Sequence, residues 1–154
     1  MMLYSEFQLQ SADDPCHFCH PKDRVFIESE AAFLTYGLAP YHRHHLLVIP
    51  KRHVESFMEL SRDESDQIWN LIRQGAAILL ELGYETYTVV VREGKGGTKS
   101  MPHLHYHLIP DKSIGDLDAS GRERTVMTSE EIALVSGEIG EAMRRLAFTG
   151  VELA

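Results

Sequence analysis

Three histidines stand two residues apart in the stretch MPHLHYHLIPD, residues 101–111, at positions 103, 105 and 107. Successive side chains on a β-strand point to opposite faces. His103, His105 and His107 would therefore share one face, while Leu104, Tyr106 and Leu108 share the other and pack on a core. A helix is disfavoured by Pro102 and Pro110, and positions two apart on a helix do not face each other. At ~3.3 Å per residue, neighbouring histidines sit roughly 7 Å apart and the outer two about 13 Å apart. One metal ion held by all three is awkward, because metal–nitrogen bonds are only about 2.0–2.1 Å long. Separate roles fit better, with one ring as nucleophile or base and the others as orienter, charge stabiliser or ligand. A merely solubilising histidine surface is the plainer alternative, disfavoured because three partly charged rings in a row repel one another.

Other residue types near this stretch carry chemistry of their own. The chain has two cysteines, Cys16 and Cys19. In a reducing compartment this pair reads as a metal pair or redox motif before a disulfide, and no thioredoxin-like pattern follows it, so zinc is favoured, given two further ligands. Residues 93–100, EGKGGTKS, form a Gly-rich loop that runs into the histidine stretch. Its Thr98, Lys99 and Ser100 could clamp a phosphate, against the plain reading of a flexible turn. Lys51, Arg52, Lys95 and Lys99 lie close enough to the motifs to build a local anion pocket in a chain whose net charge is −8. That charge argues against extended nucleic acid, which needs a basic stripe.

The surrounding elements must position these groups. Residues 1–15 show no periodicity and suggest an extended arm. Residues 24–38 read as two short strands joined by a turn, and residues 44–49 as a third strand stopped by Pro50. Ser61-Arg-Asp-Glu64 is a capping-box pattern, followed by Ile68, Leu71, Ile72, Ala76, Leu79 and Leu82 at helical spacing, with Gly83 as the stop. Trp69 on this helix suits packing or a partner surface. Residues 86–92, TYTVVVR, form a fourth strand. After an irregular stretch at 111–125, a second capping box, Thr128 to Glu131, opens a helix with Ile132, Val135, Ile139, Met143 and Leu146 on one stripe. Arg144 and Arg145 suit its negative carboxyl end. Strands, helix, two strands and helix predict an α+β domain with a mainly antiparallel sheet. The 154 residues suit a single domain, 1–154, and no apolar run approaches the ~18 residues that span a bilayer. No signal peptide is visible at the amino terminus, so a cytoplasmic protein without membrane partners is expected.

Imidazole attacks phosphorus well, being largely neutral near pH 7, and the phosphoramidate it forms is easily hydrolysed. The middle ring of the row is flanked by two potential donors, which makes His105 the candidate nucleophile. His107 and His45 would contact phosphate, and Ser100 would protonate or position the leaving group.

His103-Leu-His105-Tyr-His107-Leu-Ile resembles the His-φ-His-φ-His-φ-φ signature of the histidine triad (HIT) superfamily, where φ is apolar. His45-Leu-Leu-Val-Ile-Pro-Lys-Arg-His53 resembles its second signature, and Cys16-His-Phe-Cys19 the amino-terminal zinc pair of many members. The three motifs fall in the family's order between residues 16 and 111. The resemblance implies a five-stranded antiparallel sheet with a long helix packed on it and a carboxyl-terminal helix, usually in a homodimer. It implies a nucleotide hydrolase or nucleotidyl transferase, of the phosphoramidase or dinucleoside polyphosphate hydrolase class, acting on an α-phosphorus through a covalent nucleotidyl-His105. It also implies a structural zinc held by Cys16, Cys19, His53 and His103. His17 and His20 could substitute as ligands but read better as exposed neighbours. Three departures bear on nucleoside recognition. His44 stands where many members have Gly, Thr35 where they have a ribose-binding acid, and Lys99 where they have Gln. A lysine there predicts preference for substrates with negative charge beyond the attacked phosphate. Two other readings compete: a metal hydrolase using the histidine cluster, and a non-catalytic zinc-stabilised nucleotide-binding module.

Overall fold

The computed structural model describes residues 2–10, 16–21, 23–93, 101–111 and 124–148. Five strands form one antiparallel sheet: β1 (Ile27–Glu28), β2 (Ala32–Tyr36), β3 (Leu46–Pro50), β4 (Tyr87–Val91) and β5 (Tyr106–Pro110). Their order across the sheet is β1-β2-β3-β5-β4. Helix α1 spans Tyr4–Gln10, α2 Arg62–Glu81 and α3 Ser129–Phe148, with a short 3-10 turn at Phe57–Glu59.

The amino-terminal segment differs from the extended arm that its sequence suggests. It is helical and tied down from a distance: Leu3 pairs with Thr125, and the Tyr4 amide donates to the Arg124 carbonyl at 3.0 Å. The two long helices follow their local signals. At α2 the Ser61 hydroxyl accepts from the Glu64 amide at 3.1 Å, and the Glu64 carboxylate accepts from the Ser61 amide at 2.7 Å. Gly83 ends the helix at φ +92, with Tyr84 and Gly83 amides donating to the Leu79 and Leu80 carbonyls. Thr128 and Glu131 repeat the reciprocal box before α3.

Sheet alternation sorts the chain into two faces. Ala32, Leu34, Leu46, Val48 and Leu108 face the helices and join Ile68, Leu71, Ile72, Ile78 and Leu79 of α2 and Val135, Ile139 and Leu146 of α3 in the main core. Gly75 of α2 meets the sheet closely, since a Cβ there would lie 2.9 Å from Leu108 Cδ2. The other face carries a smaller cluster, Phe33, Leu47 and Ile49, with Phe18 and Val25 against it. His107 sits on that face, because it is in register with Leu47 and Val90 across the neighbouring strands. Arg145 does more than serve its helix end: its guanidinium reaches Glu81 of α2 at 2.6 Å. Trp69 stays 60% exposed, and no helix among the described residues is long and apolar enough to cross a membrane.

Candidate functional site

Only His107 of the three histidines lies within β5; residues 103–105 run just ahead of it. The stretch is pinned there by the Leu104 amide, which donates to the Val54 carbonyl at 2.7 Å. The rings are buried, with His103, His105 and His107 only 0%, 6% and 7% exposed. Their packing is aromatic. Phe18 stands edge-on to His105 at 5.1 Å between centroids, and His105 to His107 at 4.7 Å.

Hydrogen bonds to carbonyls assign the tautomers, because a carbonyl only accepts. His105 Nδ1 lies 2.7 Å from the His103 carbonyl and must carry the proton, which makes Nε2 its lone-pair nitrogen. His103 Nε2 lies 2.8 Å from the Pro50 carbonyl, so His103 Nδ1 is the lone-pair nitrogen. A third assignment runs through His45. The Tyr41 amide donates to His45 Nδ1 at 3.3 Å, so the His45 proton is on Nε2, 2.9 Å from His107 Nδ1. His107 then carries its own proton on Nε2. Two buried neutral rings thus form a directed chain that ends in a donor beside His105.

Both rings are held neutral. Burial, then the charges of Arg124, His105 and His42, lowers His45 to about 3; burial, then His45, His105 and nearby arginines, lowers His107 still further. In the unfolded chain both titrate near 6.5. Below that value the unfolded state binds more protons than the folded one, so stability falls as pH drops from about 6.5 toward 3. The expected loss at pH 5 is on the order of 2 kcal/mol per ring. Urea denaturation at pH 7.5 and 5 checks it, and an unchanged midpoint would contradict the neutral pair.

His45 is seated by the turn before β3 and by a glycine. A Cβ on Gly37 would lie 2.8 Å from His45 Nδ1 and 3.1 Å from its Cγ, and the Gly37 amide donates to the His45 carbonyl at 2.7 Å. Gly37→Ala should therefore push the ring off its bond to His107. We expect kcat/KM to fall roughly 10- to 100-fold, since a shift near 1 Å has that effect on positioned groups, while the melting temperature moves only a few degrees. Full activity in this variant would dissociate His45 placement from turnover. His44 points the other way. It is 4% exposed, with Nδ1 2.6 Å from the Tyr84 hydroxyl and Nε2 2.5 Å from the Glu138 carboxylate of α3, which also binds Arg43. Burial lowers the His44 pKa against the opposing pull of Glu138.

On the opposite side of His105, Cys16, Cys19, His53 and His103 bring one ligand atom each within 4.8 Å of one another. Cys16 Sγ is 3.2 Å from His103 Nδ1, Cys19 Sγ is 3.5 Å from the same nitrogen and 3.2 Å from His53 Nδ1. A tetrahedral ion with bonds of about 2.0–2.3 Å has ligand–ligand edges of roughly 3.3–3.8 Å, so the set fits a metal. Its donor chemistry fits as well. The Pro50 carbonyl holds His103 in the tautomer whose lone pair faces the sulfurs, and burial lowers its pKa to about 4, so the ring is unprotonated near neutral pH. Neither cysteine is in a disulfide. His17 lies against Phe7 at 5.4 Å and His20 is exposed; neither joins the set.

Two of the four cations that the sequence places near the motifs, Lys51 and Arg52, lie among the described residues. Lys51 pairs with Glu28 at 2.8 Å and Arg52 with Glu64 at 2.9 Å, both on the surface. Lys95, Thr98, Lys99 and Ser100 lie outside the described residues. Arg92 and Arg124, which no motif marks, contact Tyr41, whose ring lies 5.6 Å from that of His45. Thr35 is 5% exposed and its hydroxyl donates to the Arg24 carbonyl.

Comparison with known proteins bears on this geometry. The HIT domain model matches residues 20–114. An uncharacterized HIT-like protein of Methanocaldococcus jannaschii is 27% identical over 115 residues, spanning 74% of this chain and 89% of that protein. An adenosine 5'-monophosphoramidase of Schizosaccharomyces pombe is 28% identical, over 76% of this chain and 86% of the relative. A bis(5'-adenosyl)-triphosphatase of Dictyostelium discoideum is 27% identical over 60% of this chain, which spans only 63% of that relative. Among solved structures, a histidine triad nucleotide-binding protein of Sulfolobus tokodaii superposes with TM-score 0.69 at 23% identity, covering 85% of this chain and 93% of the other. A zinc-bound histidine triad protein of Mycobacterium smegmatis does so with TM-score 0.59 at 19% identity, over 84% and 96% of the two chains. These likenesses share the five-stranded sheet described above, and the matched segment holds His45, His53 and all three histidines of the row: the chain belongs to the HIT family.

Proposed function

We propose that the protein is a nucleotide hydrolase or nucleotidyl transferase in which His105 Nε2 attacks an α-phosphorus. The observation that carries this reading is the bond from His105 Nδ1 to the His103 carbonyl at 2.7 Å, because it fixes Nε2 as the lone-pair nitrogen. A bond forms from Nε2 to phosphorus while the bond from phosphorus to the leaving oxygen or nitrogen breaks, and the leaving group takes up a proton. Water, or an acceptor hydroxyl in a transferase, then attacks the same phosphorus and releases His105 with its lone pair. His107 Nε2–H, aligned by His45, donates to a phosphoryl oxygen as charge builds there. Ser100, Lys99 and Thr98 are proposed contacts to the leaving group and phosphates, on the strength of their place just before His103.

Cys16, Cys19, His53 and His103 would hold a zinc ion. Two thiolates and two imidazoles fill a tetrahedral set without leaving an open position, so the ion would act structurally, which disfavours the metal-hydrolase alternative. Its role near the chemistry is indirect: His103, a ligand, also presents the carbonyl that orients His105. Two cysteines outside any disulfide and facing imidazoles suit a reducing compartment, and we place the protein in the cytoplasm. The edge strand β4, with Tyr87 and Val89 38% and 40% exposed, is the proposed contact of a homodimer; sedimentation that finds a monomer at micromolar concentration removes that contact.

Relatives that cleave a nucleoside phosphoramidate and a triphosphate-bridged dinucleotide support the substrate class. Both substrate types test it. Release of nucleoside monophosphate from at least one is expected, and failure with both would leave only a binding module.

A further inference from the structure

The turn that carries Cys16 and Cys19 is held by a residue that the chemistry above does not use. Arg24 reaches back to it with two of its guanidinium nitrogens: Nη2 donates to the His17 carbonyl at 3.3 Å and Nε to the Pro21 carbonyl at 3.2 Å. The Arg24 amide donates to the same Pro21 carbonyl at 3.2 Å. In sequence these two carbonyls stand on either side of Cys19. Within the turn, the Cys19 amide donates to the Cys16 carbonyl at 3.1 Å. The anchor continues into the sheet. The Arg24 carbonyl accepts from the hydroxyl of Thr35, a residue of β2 that is 5% exposed and in register with Leu47 of β3. A line of bonds thus runs from the interior of the sheet, through Thr35 and Arg24, to the turn that supplies two of the four ligand atoms.

A site whose ligands come from a turn binds in proportion to the fraction of molecules that already hold the turn in place. Phe18 and Val25 pack on Phe33, Leu47 and Ile49, which seats the turn on the sheet. Apolar packing has no direction, however, and does not by itself aim the thiols. Hydrogen bonds do. A peptide unit is planar, so a carbonyl held at His17 fixes the whole unit between His17 and Phe18, midway between the two cysteines. A guanidinium suits this task because its donors are set in one rigid plane and can serve two acceptors at once, whereas an ammonium is a single point on a flexible stem. None of the groups in this line is itself a metal ligand, so the bonds do not depend on an ion being bound.

We propose that Arg24, anchored by Thr35, is a positioning residue for the metal site and holds the Cys16–Cys19 turn in its ligand geometry before the ion binds. The identity of the ion rests on the zinc reading given above; the ordering of the turn does not. A plainer role is that of a staple, which stabilises the fold equally with and without metal and leaves affinity untouched. Positioning differs from stapling in its consequence: losing it lowers the competent fraction and weakens binding by the same factor.

The test measures zinc affinity by chelator competition in wild type, Arg24→Gln, Arg24→Lys, Thr35→Val and Thr35→Ser, beside melting curves of the metal-free proteins. Kd should rise about tenfold or more in Arg24→Gln, the effect of losing a partner that orients metal ligands. Arg24→Lys should not restore it, because one ammonium cannot serve both carbonyls. Thr35→Val should weaken binding in the same direction, and Thr35→Ser, which keeps the hydroxyl, should bind as wild type does. An unchanged Kd with a lowered metal-free melting temperature leaves only the staple and overturns the proposal. Wild-type affinity in Arg24→Lys overturns it too, since charge and not the paired bonds would then matter. Hydrogen exchange at the Cys19 amide of the metal-free protein gives a readout that needs no ion. That amide should be protected in wild type and should exchange faster in Arg24→Gln; no protection in wild type, or equal exchange in both, overturns the proposal. If wild type binds no zinc yet Cys19 protection depends on Arg24, the ordering of the turn stands and the zinc reading falls.

Discussion

His105→Ala loses turnover by roughly four to six orders of magnitude, the range seen when a nucleophile that acts with its partners is removed. The binding groups remain, so KM should change far less than kcat. The fold survives with a measurable loss. His105 is 6% exposed and its Nδ1–H satisfies the His103 carbonyl, so removal opens a small cavity and leaves that acceptor unpaired, at a cost of about 1–3 kcal/mol. A melting curve taken beside the kinetics separates the two effects. Near-normal kcat in a folded variant would take His105 out of its role.

Removal of the zinc proposed for Cys16, Cys19, His53 and His103 has the second largest expected effect, on stability first and activity second. The four ligand residues connect three segments: the turn at Cys16 and Cys19, the loop after β3 that carries His53, and the run of residues ahead of β5. Structural zinc is worth roughly 10–16 kcal/mol in small peptides, and a protein with its own core should depend on it less. A loss of about 3 kcal/mol corresponds to a melting temperature lower by about 10 °C at this chain length. Chelation and Cys16→Ser should each produce such a shift. Turnover should fall roughly 10- to 100-fold as His103 loosens its hold on His105. Protein purified without added metal or chelator should contain one zinc per chain. No zinc, together with an unshifted Cys16→Ser, would contradict the assignment.

Local signals carried well from sequence to structure. The boxes at Ser61 and Thr128 and the stop at Gly83 are closed by residues within a few positions, so short-range physics decides them. Alternation placed Leu108 on the helix side and His107 opposite, because period two survives whenever a strand forms. The convergence of Cys16, Cys19, His53 and His103 is long-range, and it was legible only through the order of the motifs. What stayed hidden depends on tertiary contact without a motif. Helix α1 has no periodicity of its own and is tied to residues 124–126. Arg92 and Arg124 read as the end of a strand and part of an irregular stretch until Tyr41 brings them together. The burial of the histidine row was also illegible, since it arises from Phe18 and the 50–54 segment covering the sheet face.

A single-turnover reaction quenched at alkaline pH and read by intact mass tests the central claim most directly. The account predicts a transient nucleotidyl adduct, one per chain, that maps to His105 and is missing from His105→Ala. A complete turnover of bound nucleotide with no adduct at any quench time, or an adduct on another residue, would contradict it.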